Sequence, residues 1–268
     1  MYNVDLSGIK TIDQVNVAGQ TVIVRADLNV PMDGGHVTDT TRLDRFAATA
    51  RDLAQAGAKV VVLSHFARPK GEVVPDMSLR RVAGPLAAAI GRDVEFVATD
   101  WRDTAKLRHE LNEARPGDVL LMENTRFHPG EEQNDSAFAA TMASLGTIYV
   151  NDAFSCAHRA HASTEGIAHH LPSYAGPSMA AEINALRAAL DNPRRPVGAV
   201  VGGAKVSTKI PVLTNMLDRV DVLIIGGGMA NTFLHAQGID VGKSLCEPDL
   251  AETAREIMAK AEGAGCKI

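Results

Sequence analysis

Aromatic side chains are scarce in this sequence: Phe, Trp and Tyr make up 4% of 268 residues, with a single Trp. Its interior must therefore be filled by Ala, Val, Leu and Ile. Cysteine is also sparse. Cys156, Cys246 and Cys266 are an odd set of three, which excludes a disulfide framework and fits a reducing compartment. No apolar run approaches the roughly 18–20 residues of a membrane span. The N-terminal residues lack a basic stretch followed by an apolar one, so no secretory signal is read there. The expected location is the cytoplasm. An excess of positive charge is missing as well: 27 Lys and Arg stand against 32 Asp and Glu, a net charge of -5. That balance excludes a general nucleic-acid binder. Any anion site must be a local patch on an acidic background.

What is present is globular. Hydrophobic residues make 46% and charged residues 22%, and a chain of this length buries roughly 70–75% of its unfolded surface. Short apolar runs read as strands at Thr21–Arg25, Val60–Ser64, Val119–Met122, Thr147–Val150, Val197–Val201 and Val222–Ile225, with Glu95–Ala98 weaker. They are apolar on both faces, as buried parallel strands are. Helical patterns lie between them at Arg42–Gln55, Leu79–Ile90, Thr104–Glu113, Ser136–Leu145, Met179–Leu190 and Asp249–Glu262. Asp249 with Glu252 suggests a capping box for the last. This alternation defines an α/β chain with parallel sheets. Asp191-Asn192-Pro193-Arg194-Arg195-Pro196 breaks the fifth helix, and a domain boundary is expected there. After it only about two strands follow, and Lys267-Ile268 reads as the start of another. The second domain is therefore expected to be incomplete in this chain.

In open parallel sheets, ligands bind beyond the carboxyl ends of the strands. The residues after the four strong strands of the first half are Asp27 and Asn29; His65 and Arg68; Asn124 and Arg126; and Asn151, Asp152, His158 and Arg159. Arg42 opens the first helix and joins them. Any one arginine taken alone reads more readily as a solvated surface residue or an ion-pair partner. Their recurrence at equivalent strand ends points instead to a small, multiply charged phosphorylated or carboxylated ligand, because guanidinium forks match those groups. In the second half, Gly202-Gly203-Ala204-Lys205 and Gly226-Gly227-Gly228 each follow a strand. Such loops bring backbone N–H groups to phosphates. Lys205 and Lys209 are four apart, a spacing that places both on one helix face with an anion between them.

Three patterns are decoys. Gly238 to Ser244 resembles a P-loop, but Gln237 occupies the first glycine position and no strand precedes it. Gly226 to Asn231 resembles a dinucleotide fingerprint with Asn231 in place of the last glycine. Cys156, His158 and His161 suggest zinc but lack a fourth ligand of convincing spacing, so no metal ligand is assigned.

Seven strings together resemble the phosphoglycerate kinase family, in the family's order along nearly the whole chain. They are Arg25-Ala26-Asp27-Leu28-Asn29-Val30-Pro31, Ser64-His65-Phe66-Ala67-Arg68-Pro69, Glu123-Asn124-Thr125-Arg126-Phe127, Asn151-Asp152-Ala153-Phe154, Ala157-His158-Arg159-Ala160-His161, Gly202-Gly203-Ala204-Lys205-Val206 and Ile225-Gly226-Gly227-Gly228-Met229.

The resemblance implies two Rossmann-like, parallel-sheet domains joined by a helix: 1–177 binding phosphoglycerate, 178–192 connecting, and 193–268 binding nucleotide. It implies the glycolytic transfer of a phosphoryl group between ATP and 3-phosphoglycerate, giving ADP and 1,3-bisphosphoglycerate, by a hinge-bending monomer. Carried over by motif, Asp27, Leu28, Asn29, Arg42, His65, Phe66, Ala67, Arg68, Arg126 and Arg159 hold the substrate. Gly203, Lys205, Lys209, Gly226, Gly227 and Gly228 hold Mg-ATP or Mg-ADP. Arg42, Lys205 and Lys209 contact the group in transfer. The family's magnesium ligand is expected beyond residue 268, which makes this chain weakly active or inactive by itself. Ala67 stands where glycine is usual, Ser155-Cys156 where Gly-Thr is common, and Thr208 where an acidic residue is frequent. The competing readings are a non-catalytic anion-binding module and a nicotinamide-dependent dehydrogenase.

Overall fold

A computed structural model describes residues 8–190 and 193–268 of the chain. Contacts divide it into two compact units, one reaching to Ile183 and one beginning at Asn184.

The first unit runs β1 (Thr21–Arg25), β2 (Met32–Asp33), β3 (His36–Val37), α1 (Thr41–Gln55), β4 (Lys59–Leu63), α2 (Arg80–Ile90), β5 (Val94–Val97), α3 (Thr104–Glu113), β6 (Val119–Met122), α4 (Ser136–Ala143), β7 (Ile148–Asn151) and β8 (Ser173–Ala175), and the division falls within α5 (Pro177–Leu190). Six strands form one sheet in the order β5-β6-β4-β1-β7-β8, and every neighbouring pair is parallel. Strand residues alternate between two cores. Val22, Val24, Val60, Val62, Val119, Leu121, Ile148 and Val150 face one side, under α1 and α2. Ile23, Val61, Leu63, Leu120, Met122 and Tyr149 face the other, under α3 and α4. Both faces are covered, which is why these runs carry no polar alternation. Helix α1 buries Leu43, Phe46, Ala47, Ala50, Leu53 and Ala54, spaced three and four apart on one stripe. Asp103 and Asp135 cap α3 and α4, accepting from Lys106 N at 3.1 Å and Phe138 N at 2.7 Å.

The second unit holds β9 (Gly198–Gly202), α6 (Ile210–Met216), β10 (Val222–Gly226), α7 (Gly228–Ala236) and α8 (Ala251–Gly263). Strands β9 and β10 pair in parallel, and Lys267 bridges to Val222 in the same sense, as a strand start there would. One face of this pair packs on a core of Leu213, Leu223, Met229, Phe233, Ala254 and Ile257. The other leaves Val200 75% and Ile224 53% exposed. The expectation of strands buried on both faces therefore holds in the first unit and not for the described residues of the second. The capping box at Asp249 is also corrected: Asp249 lies in a short 3-10 turn, and Leu250 occupies the cap of α8 without a side-chain hydrogen bond. Among the described residues, no helix is long and apolar enough to cross a membrane.

Candidate anion-binding site

Because β1, β4, β6 and β7 are parallel neighbours, their carboxyl ends open on one edge of the sheet. The loops that follow are tied together there by backbone bonds: Ala26 N to Leu63 O at 2.9 Å, Asp152 N to Arg25 O at 3.0 Å and Thr125 N to Ser64 O at 3.1 Å. Side chains complete the clamp. The buried Asn124 accepts from Phe66 N and Arg126 N, both at 3.1 Å, and donates to Phe66 O at 2.7 Å and Met77 O at 2.9 Å. Ser64 Oγ accepts from Leu28 N at 3.0 Å.

Ala67 is held from both sides. Its N–H donates to Asn29 Oδ1 at 2.9 Å, and its carbonyl accepts from Arg126 Nη1 at 2.7 Å. Its φ of 53° lies in the left-handed region, where an alanine costs about 1–2 kcal/mol that glycine does not. The sequence departure at this position thus falls where backbone geometry favours glycine, and the clamp overrides the penalty.

Asp27 gathers a second group. Its Oδ2 accepts from Arg42 Nη1 and Ser155 Oγ, each at 2.5 Å, and its Oδ1 from Asn29 N at 3.2 Å. Burial works to raise its pKa, but the Ser155 hydroxyl, Arg42, His65 and the Asn29 N–H hold it below the ordinary value. Asp27, Arg42 and Ser155 line a cleft of about 240 Å³ with Arg45, Phe46 and Asp152.

His65 is buried, and its Nδ1 lies 3.1 Å from Arg25 Nη2. Burial, then the charges of Arg25, Arg126 and Arg159, push its pKa down to about 3 against the pull of Asp27. It is neutral at physiological pH. Arg126 is buried as well, with Nε 3.1 Å from Glu132 Oε1. Burial lowers its pKa and Glu132 opposes that, and a guanidinium stays charged regardless.

The structure therefore joins Asp27, Asn29, Arg42, Ala67 and Arg126 through direct hydrogen bonds, and ties in Leu28, His65 and Phe66 through Ser64, Arg25 and Asn124. Arg159 lines a separate cleft of about 320 Å³ with Thr164 and Glu165, although its charge is felt at His65 and Arg126. Arg68 is exposed and makes no ion pair among the described residues. Cys156 associates with Asp27 and His65, whose ligating atoms lie within 4.8 Å of its own, rather than with His158 and His161 as spacing suggests. Arg25 donates to His65, and Arg42, Arg126 and Arg159 are close by, so the surroundings favour an anion over a cation.

Sequence reasoning misses three members of this region. Arg25 is 1% exposed, and Glu131 and Ser163 are fully buried. Arg25 ends an apolar strand run, where a charge reads as the first exposed residue. Nothing local to Glu131 or Ser163 marks them as its partners.

The second unit's loops are built differently from the expectation. Lys205 is in irregular backbone and Lys209 is the residue before α6. The two lysines do not share a helix face, because the segment between them is a turn, closed by Lys209 N donating to Val206 O at 2.8 Å, and not a helix. A Cβ on Gly227 would come 2.8 Å from Gly203 O, and one on Gly228 2.8 Å from Ala204 O. Met229 N donates to Gly203 O at 3.0 Å. These glycines let the two loops touch each other. Asn231, at the fingerprint's last glycine position, donates to Leu245 O at 2.9 Å. Lys243 and Ser244 precede no helix start, so the P-loop resemblance ends there. Ser207 binds Glu247 through N at 3.1 Å and Oγ at 2.7 Å.

The chain is an α/β protein with a cation-lined cluster at the carboxyl ends of a parallel sheet, followed by glycine-rich loops, a class whose strand-end loops suit small anions. The family model described as phosphoglycerate kinase matches residues 12–268, and the chain belongs to that family. It is 60% identical over 260 residues to the phosphoglycerate kinase of Rhizobium meliloti (strain 1021), covering 97% of this chain and 65% of that protein. Against that of Methylobacterium radiotolerans it is 58% identical over 264 residues, 98% of this chain and 66% of the relative. The solved structure of phosphoglycerate kinase from Coxiella burnetii superposes with a TM-score of 0.86 at 41% identity, covering 97% of this chain and 65% of that one. The crystal structure from Pyrococcus horikoshii OT3 gives 0.81 at 30% identity, covering 97% and 67%. The chain spans about 65% of the length of the curated relatives it matches.

Proposed function

We propose that this chain works in the reversible transfer of a phosphoryl group between ATP and 3-phosphoglycerate. The observation that carries this reading is the convergence of Arg42, Arg126 and neutral His65 with Asp27 and Asn29 on adjoining strand-end loops, in a member of this family. Residues 1–177 are assigned to phosphoglycerate, with Leu28, Phe66, Ala67, Arg68 and Arg159 completing the substrate set. Residues 178–192 connect, and residues 193–268 are assigned to the nucleotide through Gly203, Lys205, Lys209, Gly226, Gly227 and Gly228. The protein is placed in the cytoplasm as a monomer.

The chemistry asks for positioning and charge neutralisation more than for a base. The acceptor is a carboxylate, already ionised near pH 7. Its oxygen bonds to the γ-phosphorus as the bond to the β-phosphate oxygen breaks, and ADP leaves. Arg42 from the substrate side and Lys205 and Lys209 from the nucleotide side offset charge on the moving group. The family uses the nucleotide with magnesium. Among the described residues of 193–268, Glu247 is the carboxylate that meets the Lys205 loop, and Ser207 occupies it. Among the described residues of 193–268, no cluster of carboxylates is assembled to hold magnesium.

Incubation of a protein of its relatives' full length with 1,3-bisphosphoglycerate and Mg-ADP, followed by ³¹P NMR, tests this through loss of the acyl-phosphate signal and growth of the ATP signals. In a protein of its relatives' full length, Lys209→Ala is expected to lower the rate about hundredfold, the loss of one preorganised charge contact. A loss under about threefold would remove Lys209 from the mechanism.

A further inference from the structure

Behind the candidate site lies a chain of buried polar groups that the reaction does not itself require. Arg25 is 1% exposed, and Glu131 and Ser163 are fully buried. Glu131 Oε1 accepts from Ser163 Oγ at 2.6 Å, and Oε2 accepts from Ser163 N at 2.9 Å. Ser163 Oγ in turn accepts from Arg25 Nε at 2.8 Å. Arg25 Nη1 donates to its neighbour's carbonyl at Ala26, and Nη2 lies 3.1 Å from His65 Nδ1.

Donor and acceptor rules give this chain one direction. A carboxylate only accepts and a guanidinium only donates. The single Ser163 hydroxyl proton therefore points to Glu131, which leaves its lone pair for Arg25 Nε. His65 Nδ1, facing a guanidinium N–H, must be the acceptor. The remaining proton of a neutral imidazole is then on Nε2. Burial works to raise the Glu131 pKa, but bonds from His161 and Ser163 and the charge of Arg25 keep it low. The ionised carboxylate that the chain needs is thereby retained.

We infer that Glu131, Ser163 and Arg25 are positioning residues that hold His65 as a neutral Nε2–H donor for the anionic ligand. This rests on reading the cluster as the phosphoglycerate site. The charged and titratable groups facing His65 are Arg25 from the end of β1, Asp27 from the following loop, Arg126 after β6, and Arg159 and Cys156 after β7. Three of those five are arginines against one carboxylate, so a protonated His65 would add to an already positive cluster. Glu131 offsets Arg25 without itself touching the ligand site.

The test uses the 268-residue chain with ¹⁵N-labelled histidine. Two-bond ¹H–¹⁵N NMR reads the His65 ring between about pH 5 and 8, and calorimetry measures 3-phosphoglycerate binding over the same range. Differences from wild type cancel the ligand's own phosphate titration. The wild-type ring is expected as Nε2–H throughout. In Ser163→Ala the ring is expected to titrate inside this window or to populate the Nδ1–H form, with affinity reduced about tenfold. Ser163→Thr, which keeps the hydroxyl, is expected to restore both. Glu131→Gln gives a second break in the chain if Ser163→Ala does not fold by circular dichroism. A folded Ser163→Ala or Glu131→Gln variant with an unchanged ring and unchanged affinity overturns the inference, as does a wild-type ring protonated on Nδ1. A wild-type Nε2–H ring in a chain that does not bind 3-phosphoglycerate supports the positioning chain and overturns the ligand assignment.

Discussion

His65 carries a pH dependence whose sign follows from its surroundings. Its pKa of about 3 in the fold stands against an ordinary 6.5. As pH falls, the unfolded chain takes up this proton first. The stability contributed by neutral His65 is therefore complete above about pH 6.5 and is lost progressively between 6.5 and 3. His65→Gln removes that dependence. Between about pH 7 and 4.5, wild-type unfolding free energy in urea is expected to fall by roughly 2 kcal/mol more than the variant's. Parallel declines would contradict the account. The sequence shows that His65 follows a strand among arginines. It does not show the buried Arg25 guanidinium on its Nδ1, because that contact joins residues 40 apart. The same holds for Cys156, whose neighbours in sequence suggest His158 and His161 while the fold places it by Asp27 and His65. Side-chain partners of this kind are set by strand order, which no local pattern encodes.

Elements were more legible than contacts. Parallel strands covered on both faces need apolar side chains in both directions, so TVIVR, VVVLS and VLLM mark β1, β4 and β6 to within a residue. Elements of two or three residues, β2, β3 and β8, carry too little periodicity to read. The Lys205–Lys209 spacing fails for a different reason: a turn closes between Val206 and Lys209, and α6 starts only at Ile210. The junction of β8 and α5 shows how one small residue sets an element's start. Asp152 Oδ1 accepts from Ser178 N at 2.7 Å and Met179 N at 3.2 Å in the first turn of α5. A Cβ on Gly176 would come 2.4 Å from that oxygen, so the close approach requires glycine. Gly176→Ala is expected to cost about 1–3 kcal/mol, read by urea unfolding with Trp101 fluorescence. A cost under about 0.5 kcal/mol would contradict this packing.

At the scale of the molecule, function depends on one consequence of topology. The order β5-β6-β4-β1-β7-β8 brings the ends of β6, β4, β1 and β7 side by side, although their residues are spread over more than a hundred positions. The residue types at strand ends were readable one by one, and the family strings gave their joint meaning. Their adjacency was not readable, because strand pairing is non-local. The central claim is that these adjoining loops form a phosphoglycerate site in the first unit. Calorimetric titration of 3-phosphoglycerate into the chain, beside Arg42→Ala, tests it most directly once circular dichroism shows both samples folded. The account predicts saturable binding that Arg42→Ala weakens by about tenfold or more, the scale of a charge-assisted contact. A folded chain that releases no heat with millimolar 3-phosphoglycerate, or an Arg42→Ala variant that binds as tightly as wild type, would contradict it.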